Sequence, residues 1–121
     1  MTAFYQDLAL CSGDHRTLRF AIADPSGVVV DLTGVQAVRW GCARLQANGG
    51  YVLPASIVKT LADGIEIADA PGGIIEVMID GADTAGLSKG RYHHELEMTD
   101  AEGAVSTLAM GTLTIIEDLL S

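Results

Sequence analysis

The stretch Leu87–Met98, LSKGRYHHELEM, decides the fold class of this chain. From its middle onward, residues that suit a core alternate with charged residues, as side chains do on the two faces of a β-strand. One face takes Tyr92, His94, Leu96 and Met98, and the other takes Arg91, His93, Glu95 and Glu97. The stretch therefore predicts a long strand that lies on a hydrophobic core.

Short segments of the same character lie on both sides of this stretch. Residues 17–23 and 38–42 each alternate between an apolar face and a polar one. Turns rich in glycine separate these from the remaining predicted strands, which are 28–30, 65–67, 75–79, 105–110 and 113–116. A chain of 121 residues suffices for a single domain, 1–121. The residues predicted for its core are Phe20, Trp40, Tyr92 and Leu96.

Two features narrow an all-β domain to an immunoglobulin-like antiparallel β-sandwich. Trp40 is the single tryptophan of the chain and lies in the third predicted strand. The hexapeptide 87–92 resembles a tyrosine corner, in which a Tyr hydroxyl bonds to the backbone a few residues upstream, where the chain crosses between two sheets. This resemblance implies a structural role for Tyr92. The strands lack the cysteine pair of antibody domains.

A pattern of short motifs spans residues 13 to 116. Its parts are Gly13-Asp14, Leu18-Arg19-Phe20-Ala21-Ile22-Ala23-Asp24, Gly27, Val30-Asp31-Leu32-Thr33-Gly34, Asp83-Thr84, Leu87-x-x-Gly90-x-Tyr92, Thr99-Asp100-x-x-Gly103 and Gly111-Thr112-Leu113-Thr114-Ile115. This pattern resembles a group of small tailed-phage and prophage proteins and is similar to the N-terminal domain of phage baseplate upper proteins. The resemblance implies a structural protein of the virion, in its tail, baseplate or capsid surface, that binds other virion proteins and copies of itself.

Charge and composition argue against several other classes of protein. Sixteen acidic residues against seven Lys and Arg give a net charge of −9, which opposes binding to nucleic acid or to anionic lipid. The sequence has no apolar run of the length that crosses a bilayer. Cys11 and Cys42 lack the spacing of a metal or redox motif, so we expect two free thiols packed as small hydrophobes, with a Cys11–Cys42 bridge as the alternative.

The histidines do not form a recognisable catalytic or metal motif. His93 and His94 are adjacent on a predicted strand, so they point to opposite faces and cannot chelate one ion. Ser12, Asp14 and His15 supply the residue types of a hydrolytic triad, but no nucleophile elbow accompanies them. We therefore expect no enzyme activity and no catalytic residue.

The role of three aspartates in predicted loops has two possible interpretations. Asp63, Asp80 and Asp83 could hold calcium if they converge, or they could serve as solvated turn residues. Because the spacing of a known calcium motif is absent, we expect no metal and no cofactor. A carbohydrate-binding or adhesion module is the alternative function, and it would need exposed aromatic side chains, of which this chain has six at most.

Apolar residues at both ends of the chain are candidates for an interface. We expect an N-terminal arm at 1–8 and a C-terminal tail at 117–121, whose apolar side chains a small domain covers poorly. The candidates are Phe4, Tyr5, Leu8, Ile116, Leu119 and Leu120. Pro54 predicts that residues 51–61 form an edge strand or a bulge, which is a second candidate interface.

Overall fold

The computed structural model describes residues 4–117 and 119, and the chain is all-β, as predicted. This part of the chain forms nine strands and one short helix. In chain order they are β1 (Phe4–Tyr5), β2 (Leu8–Cys11), β3 (Arg16–Ala21), β4 (Ala37–Arg44), β5 (Ile57–Leu61), β6 (Gly64–Asp69), β7 (Ile74–Ile79), α1 (Gly81–Ala85), β8 (Gly90–Thr99) and β9 (Val105–Ile116). Within the described ranges, no helix is long and apolar enough to cross a membrane.

All nine strands belong to one continuous sheet that curls into a near-barrel. Its order is β1-β9-β8-β4-β5-β6-β7-β3. Strand β2 also pairs with β9, at residues 113–116, whereas β1 pairs with residues 109–110. The two ends of the sheet, β2 and β3, are consecutive in the chain, and the side chain of Arg16 donates a hydrogen bond across them to the carbonyl of Ala9 (3.1 Å). The sheet therefore surrounds a single core.

The sheet is mixed, which corrects the prediction of wholly antiparallel pairing. Strands β1 and β2 run parallel to β9, and β5 runs parallel to β6 over two residue pairs. Alternation along a strand depends only on which face is buried, so it does not specify the direction of the neighbouring strand.

Further segments differ from the sequence-based expectation. The predicted strand 28–30 makes only an isolated bridge between Val29 and Ala23, and the predicted strands 105–110 and 113–116 form one strand, β9. The segment that contains Pro54 is not an edge strand, because Pro54 precedes β5, and β5 pairs with β4 on one side and β6 on the other. The connection after β7 contains α1, which begins with a capping box: the Asp83 amide donates to the Asp80 carboxylate (3.2 Å), and the Asp80 amide donates to the Asp83 carboxylate (2.8 Å).

The inward residues of both halves of the sheet form one hydrophobic cluster. Phe20, Trp40, Tyr92 and Leu96 all lie in it, each at most 2% exposed. At the start of β8, the Tyr92 hydroxyl donates a hydrogen bond of 2.7 Å to the carbonyl of Ser88, which is the geometry of a tyrosine corner. This bond ties β8 to the loop that follows α1.

Candidate functional site

The solvent-facing side of strands β1, β9, β8, β4 and β5 carries an unusual amount of apolar surface. One row of paired residues crosses all five strands: Tyr5, Met110, Glu95, Gly41 and Val58. The ends of this row are well exposed, Tyr5 at 80% and Val58 at 58%. We call this side, together with the adjoining residues 51–55, the outer face.

A shallow depression of about 210 Å³ lies in the middle of the outer face, over Gly41. Gly41 has no side chain to fill it, and a Cβ there would come within 3.0 Å of the Ile57 carbonyl. Leu53, which is 72% exposed, and Val58 form an apolar wall. The volume is below the range typical of small-molecule pockets, so the depression suits a protruding side chain of a partner better than a whole ligand.

Charged and aromatic pairs surround this depression. Arg39 and Glu97 form an ion pair on one side, with Nη2 and Oε1 2.8 Å apart. On the other side the ring of His93 stacks on Tyr51, with centroids 4.8 Å apart and planes 6° from parallel, and His93 Nε2 lies 2.9 Å from Glu95 Oε1. The outer face thus combines exposed apolar side chains toward its two ends with charged and aromatic groups between them. Apolar and polar groups are mixed in this way at many protein interfaces.

A second depression, of about 420 Å³, lies near α1 and is lined partly by Lys59, Asp63 and Asp80. The ammonium group of Lys59 already forms an ion pair, because its Nζ lies 2.8 Å from Asp83 Oδ2. Burial acts to raise the pKa of Asp83, but the hydrogen bond from Lys59, the bond from the Asp80 backbone and the Lys59 charge hold that pKa below its usual value. These groups stabilise the connection after β7 and are not free to bind a ligand.

His94 lies on the inner side of the sheet, fully buried, and makes two hydrogen bonds. The Trp40 indole N–H donates to His94 Nδ1 (3.3 Å), and His94 Nε2 lies 2.6 Å from the carbonyl of Gln6. An indole N–H can only donate and a carbonyl can only accept, so the ring is neutral and carries its proton on Nε2. His94 therefore joins β4 to the N-terminal segment.

Gly111 allows this approach of the N-terminal segment. It lies opposite His94 in the register of β8 and β9, and a Cβ on Gly111 would be 2.3 Å from the Gln6 carbonyl oxygen. The Gln6 amide donates to the Met110 carbonyl (2.9 Å), and the Asp7 carboxylate accepts from the Thr112 amide (3.0 Å). The residue type at position 111 thus controls how closely Gln6 can lie to β9.

The N-terminal interface candidates are placed mostly in strands. Phe4 and Tyr5 form β1, although the side chain of Phe4 lies outside the described structure. Leu8 is half-buried and packs against the core of its own chain. Residues 4–8 are therefore not a free arm, because the edge of β9 supplies backbone partners for them. Of these candidates, Tyr5 has a side chain available to a partner.

The C-terminal candidates lie beside the N-terminal ones. Ile116 ends β9, pairs with Cys11 of β2 and is exposed, and Leu119 is also exposed. Leu120 lies outside the described residues.

Of the two free thiols, Cys42 is buried as predicted and Cys11 is exposed, which corrects the prediction for Cys11.

Two of the loop aspartates, Asp80 and Asp83, are brought together at the start of α1, where each carboxylate accepts a hydrogen bond from the amide of the other. Among the residues that the structure describes, no three His, Cys, Asp or Glu side chains converge on a possible metal position. The Ser12 hydroxyl donates to the Thr84 carbonyl (3.3 Å), so it is engaged with α1. Burial raises the pKa of the Cys42 thiol to about 12, which keeps this thiol protonated and a poor nucleophile.

Comparison with known proteins leaves the chain without an assigned family. No protein-family model matches it, and no curated protein is significantly similar to it. The function is therefore argued from the two features above, the outer face and the attachment of the N-terminal segment.

Sequence reasoning found part of the outer face, because Tyr5 and the segment 51–61 were interface candidates, and it missed the attachment of the N-terminal segment. For the rest of the outer face, the available signal was Gly41, two residues after Arg39 on the polar face of a predicted strand. For His94, the signal was a histidine at a position on the apolar face of β8. A histidine buried there needs hydrogen-bond partners for both ring nitrogens. Neither signal identifies the partner, because Gln6 is 88 residues away in the sequence.

Proposed function

We propose that this chain is a structural protein of a phage or prophage particle, without enzymatic activity, that binds neighbouring virion proteins or copies of itself through the outer face. The observation that carries this proposal is the group of exposed apolar side chains on the outer face, Tyr5, Leu53 and Val58, together with the charged pairs that lie between them. An apolar surface of this kind on a small domain is typical of a docking site. The particle is proposed on the resemblance of residues 13–116 to small tailed-phage proteins.

We also propose that the fold is an immunoglobulin-like sandwich whose two sheets are joined at one margin. The order β9-β8-β4-β5 fits strands G, F, C and C′ of a variable-type domain, and β6-β7-β3 fits D, E and B. The junction between the two groups is the two-pair contact of β5 with β6. Trp40 then lies on strand C, and Tyr92 lies near the start of strand F, where such domains place these residues.

In this assignment His94 takes a structural role that cysteine has in antibody domains. The second cysteine of the inter-sheet disulfide lies two residues after the corner tyrosine, and here that position is His94. Its ring centroid lies 6.4 Å from Phe20 on β3 and 6.1 Å from Trp40 on β4. Packing of the His94 ring on Phe20 would thus replace the disulfide between the sheets, whereas its hydrogen bonds to Trp40 and Gln6 stay on the side of β9, β8 and β4.

A carbohydrate-binding module is the alternative, favoured by one observation. The stacked pair of Tyr51 and His93 offers a partly exposed ring beside the carboxylate of Glu95. Sugar rings bind to flat aromatic faces flanked by hydrogen-bonding groups. If this reading holds, a glycan array should show binding that Tyr51→Ala removes.

The decisive experiment compares Val58→Asp with Met78→Asp. Both side chains are exposed on strands, but Met78 lies on β7, away from the outer face. Particles from the host that encodes the chain are purified and probed with gold-labelled antibody. We expect wild type and Met78→Asp in the particle and Val58→Asp excluded from it, with unchanged circular dichroism for all three. Absence of the wild-type chain from particles, or equal incorporation of both variants, would contradict the proposal.

A further inference from the structure

We propose that His94 makes attachment of the N-terminal segment, residues 4–11, dependent on pH: the segment is held on β9 at neutral pH and released in acid. The basis is the position of His94 between Trp40 and Gln6: its Nδ1 accepts the indole N–H, which only a neutral ring can do, and the Gln6 carbonyl covers Nε2. This inference does not depend on the proposed virion role.

A second proton on the ring would break this arrangement at a defined atom. It would have to reside on Nδ1, which already accepts the indole N–H of Trp40, so two donors would face each other. The ring is fully buried, and water cannot compensate the added charge. The bond from Nε2–H to the Gln6 carbonyl survives protonation, so the cost lies in the buried charge and the lost bond to Trp40. Water reaches the ring when the segment that covers Nε2 moves away.

The surrounding titratable groups come from three elements. Asp7 belongs to the link between β1 and β2, Cys42 faces His94 from β4, and His93 and Glu95 flank it on β8. Burial is the largest effect and lowers the pKa of His94, the charge of His93 adds to it, and the Gln6 carbonyl, Asp7 and Glu95 oppose it. Phe20 from β3 and Gly111 from β9 carry no charge.

The sign of the effect follows from the lowered pKa. When the segment is released, His94 meets water and titrates near the ordinary value for histidine, about 6.5. Between that value and the lower pKa of the attached state, only the released state binds the proton. The equilibrium constant for release therefore rises up to about tenfold for each pH unit below about 6.5, and it is independent of pH above it.

The N-terminal segment lies at the end of the strand order, so it can leave without breaking the pairing between other strands. It is joined to β9 by two residue pairs of β1 and four of β2. Its removal leaves the long antiparallel pairing of β8 with β9 intact. Local opening of such a terminal element needs less free energy than global unfolding. Its release would expose the edge of β9.

The test is amide hydrogen exchange of the full chain between pH 7.5 and 4.5, expressed as protection factors. We expect the Gln6 amide to lose protection by up to about tenfold per pH unit below about 6.5, and to be less protected at every pH than the Leu96 and Leu108 amides, which exchange through global unfolding. The matched control is His93→Gln, which removes the neighbouring histidine on the opposite face and should behave as wild type. His94→Gln should abolish the pH dependence at Gln6.

A second measurement needs no variant. Trp40 is the only tryptophan, so its indole proton gives one NMR signal that reports its bond to His94 Nδ1. This signal should shift in the same pH range in which Gln6 loses protection. Constant Gln6 protection down to pH 4.5, an indole signal that does not titrate, equal protection of the Gln6 and Leu96 amides, or unchanged pH dependence in a folded His94→Gln would each overturn the proposal.

Discussion

Replacing Tyr92 with Phe removes one hydroxyl and leaves the buried ring in place, so it isolates the hydrogen bond of the tyrosine corner. The bond to the Ser88 carbonyl is short, at 2.7 Å, and partly buried. A typical net contribution is about 0.5–1.5 kcal/mol, and Ser88 is exposed, so water can satisfy the carbonyl that is set free. The Arg44 guanidinium lies 5.8 Å from the centroid of the Tyr92 ring, and it keeps this contact with the phenyl ring of the variant. We expect a loss of about 1 kcal/mol and a fall in Tm of about 4 °C.

The assay is urea unfolding followed by the fluorescence of Trp40, with Tyr51→Phe as the control. Tyr51 lies on the outer face, and its ring keeps the stack on His93 when the hydroxyl is removed. This control should change the free energy of unfolding by less than about 0.5 kcal/mol. Equal urea midpoints for the two variants would refute the structural role assigned to the Tyr92 hydroxyl.

Three further predictions concern the core, the N-terminal segment and metals. Trp40→Ala should cost about 3–5 kcal/mol of stability, and a melting curve like that of wild type would contradict its placement in the core. Gly111→Ala should remove the protection of the Gln6 amide at pH 7, because a Cβ would collide with the Gln6 carbonyl, whereas Gly86→Ala, which has open space around it, should not. EDTA should leave Tm unchanged, and a lower Tm would reveal a metal ion.

The pH dependence also has a thermodynamic consequence for the whole domain. Because the pKa of His94 is lowered by burial in the folded state, the stability it contributes is complete above about pH 6.5 and decreases as the pH falls below that value. The slope is at most about 1.4 kcal/mol per pH unit. Urea titrations of wild type and His94→Gln at pH 7.5 and 5.5 measure it, and equal pH dependence in the two proteins would contradict this assignment.

The amino-acid sequence alone determined most of the strands and their inward faces, but not β1 and β2, and the predicted strand 28–30 is absent. Alternation in 87–98 separates Tyr92 and Leu96 from Glu95 and Glu97, and burial in the structure follows that division. The physical reason is local, because a strand with one buried face needs an apolar residue at every second position. The tyrosine corner was accessible for the same reason, since its hydroxyl and the Ser88 carbonyl are four residues apart.

Only the tertiary structure decided which strands are neighbours and in which direction they run. The parallel pairing of β2 with β9 joins Leu8 to Leu113, and the bond from His94 to Gln6 spans 88 residues. The outer face is likewise assembled from five strands that are dispersed along the chain, with Tyr5 and Val58 at its two ends. Side-chain periodicity encodes burial but not partners, so these contacts arise from the way the whole sheet closes around its core.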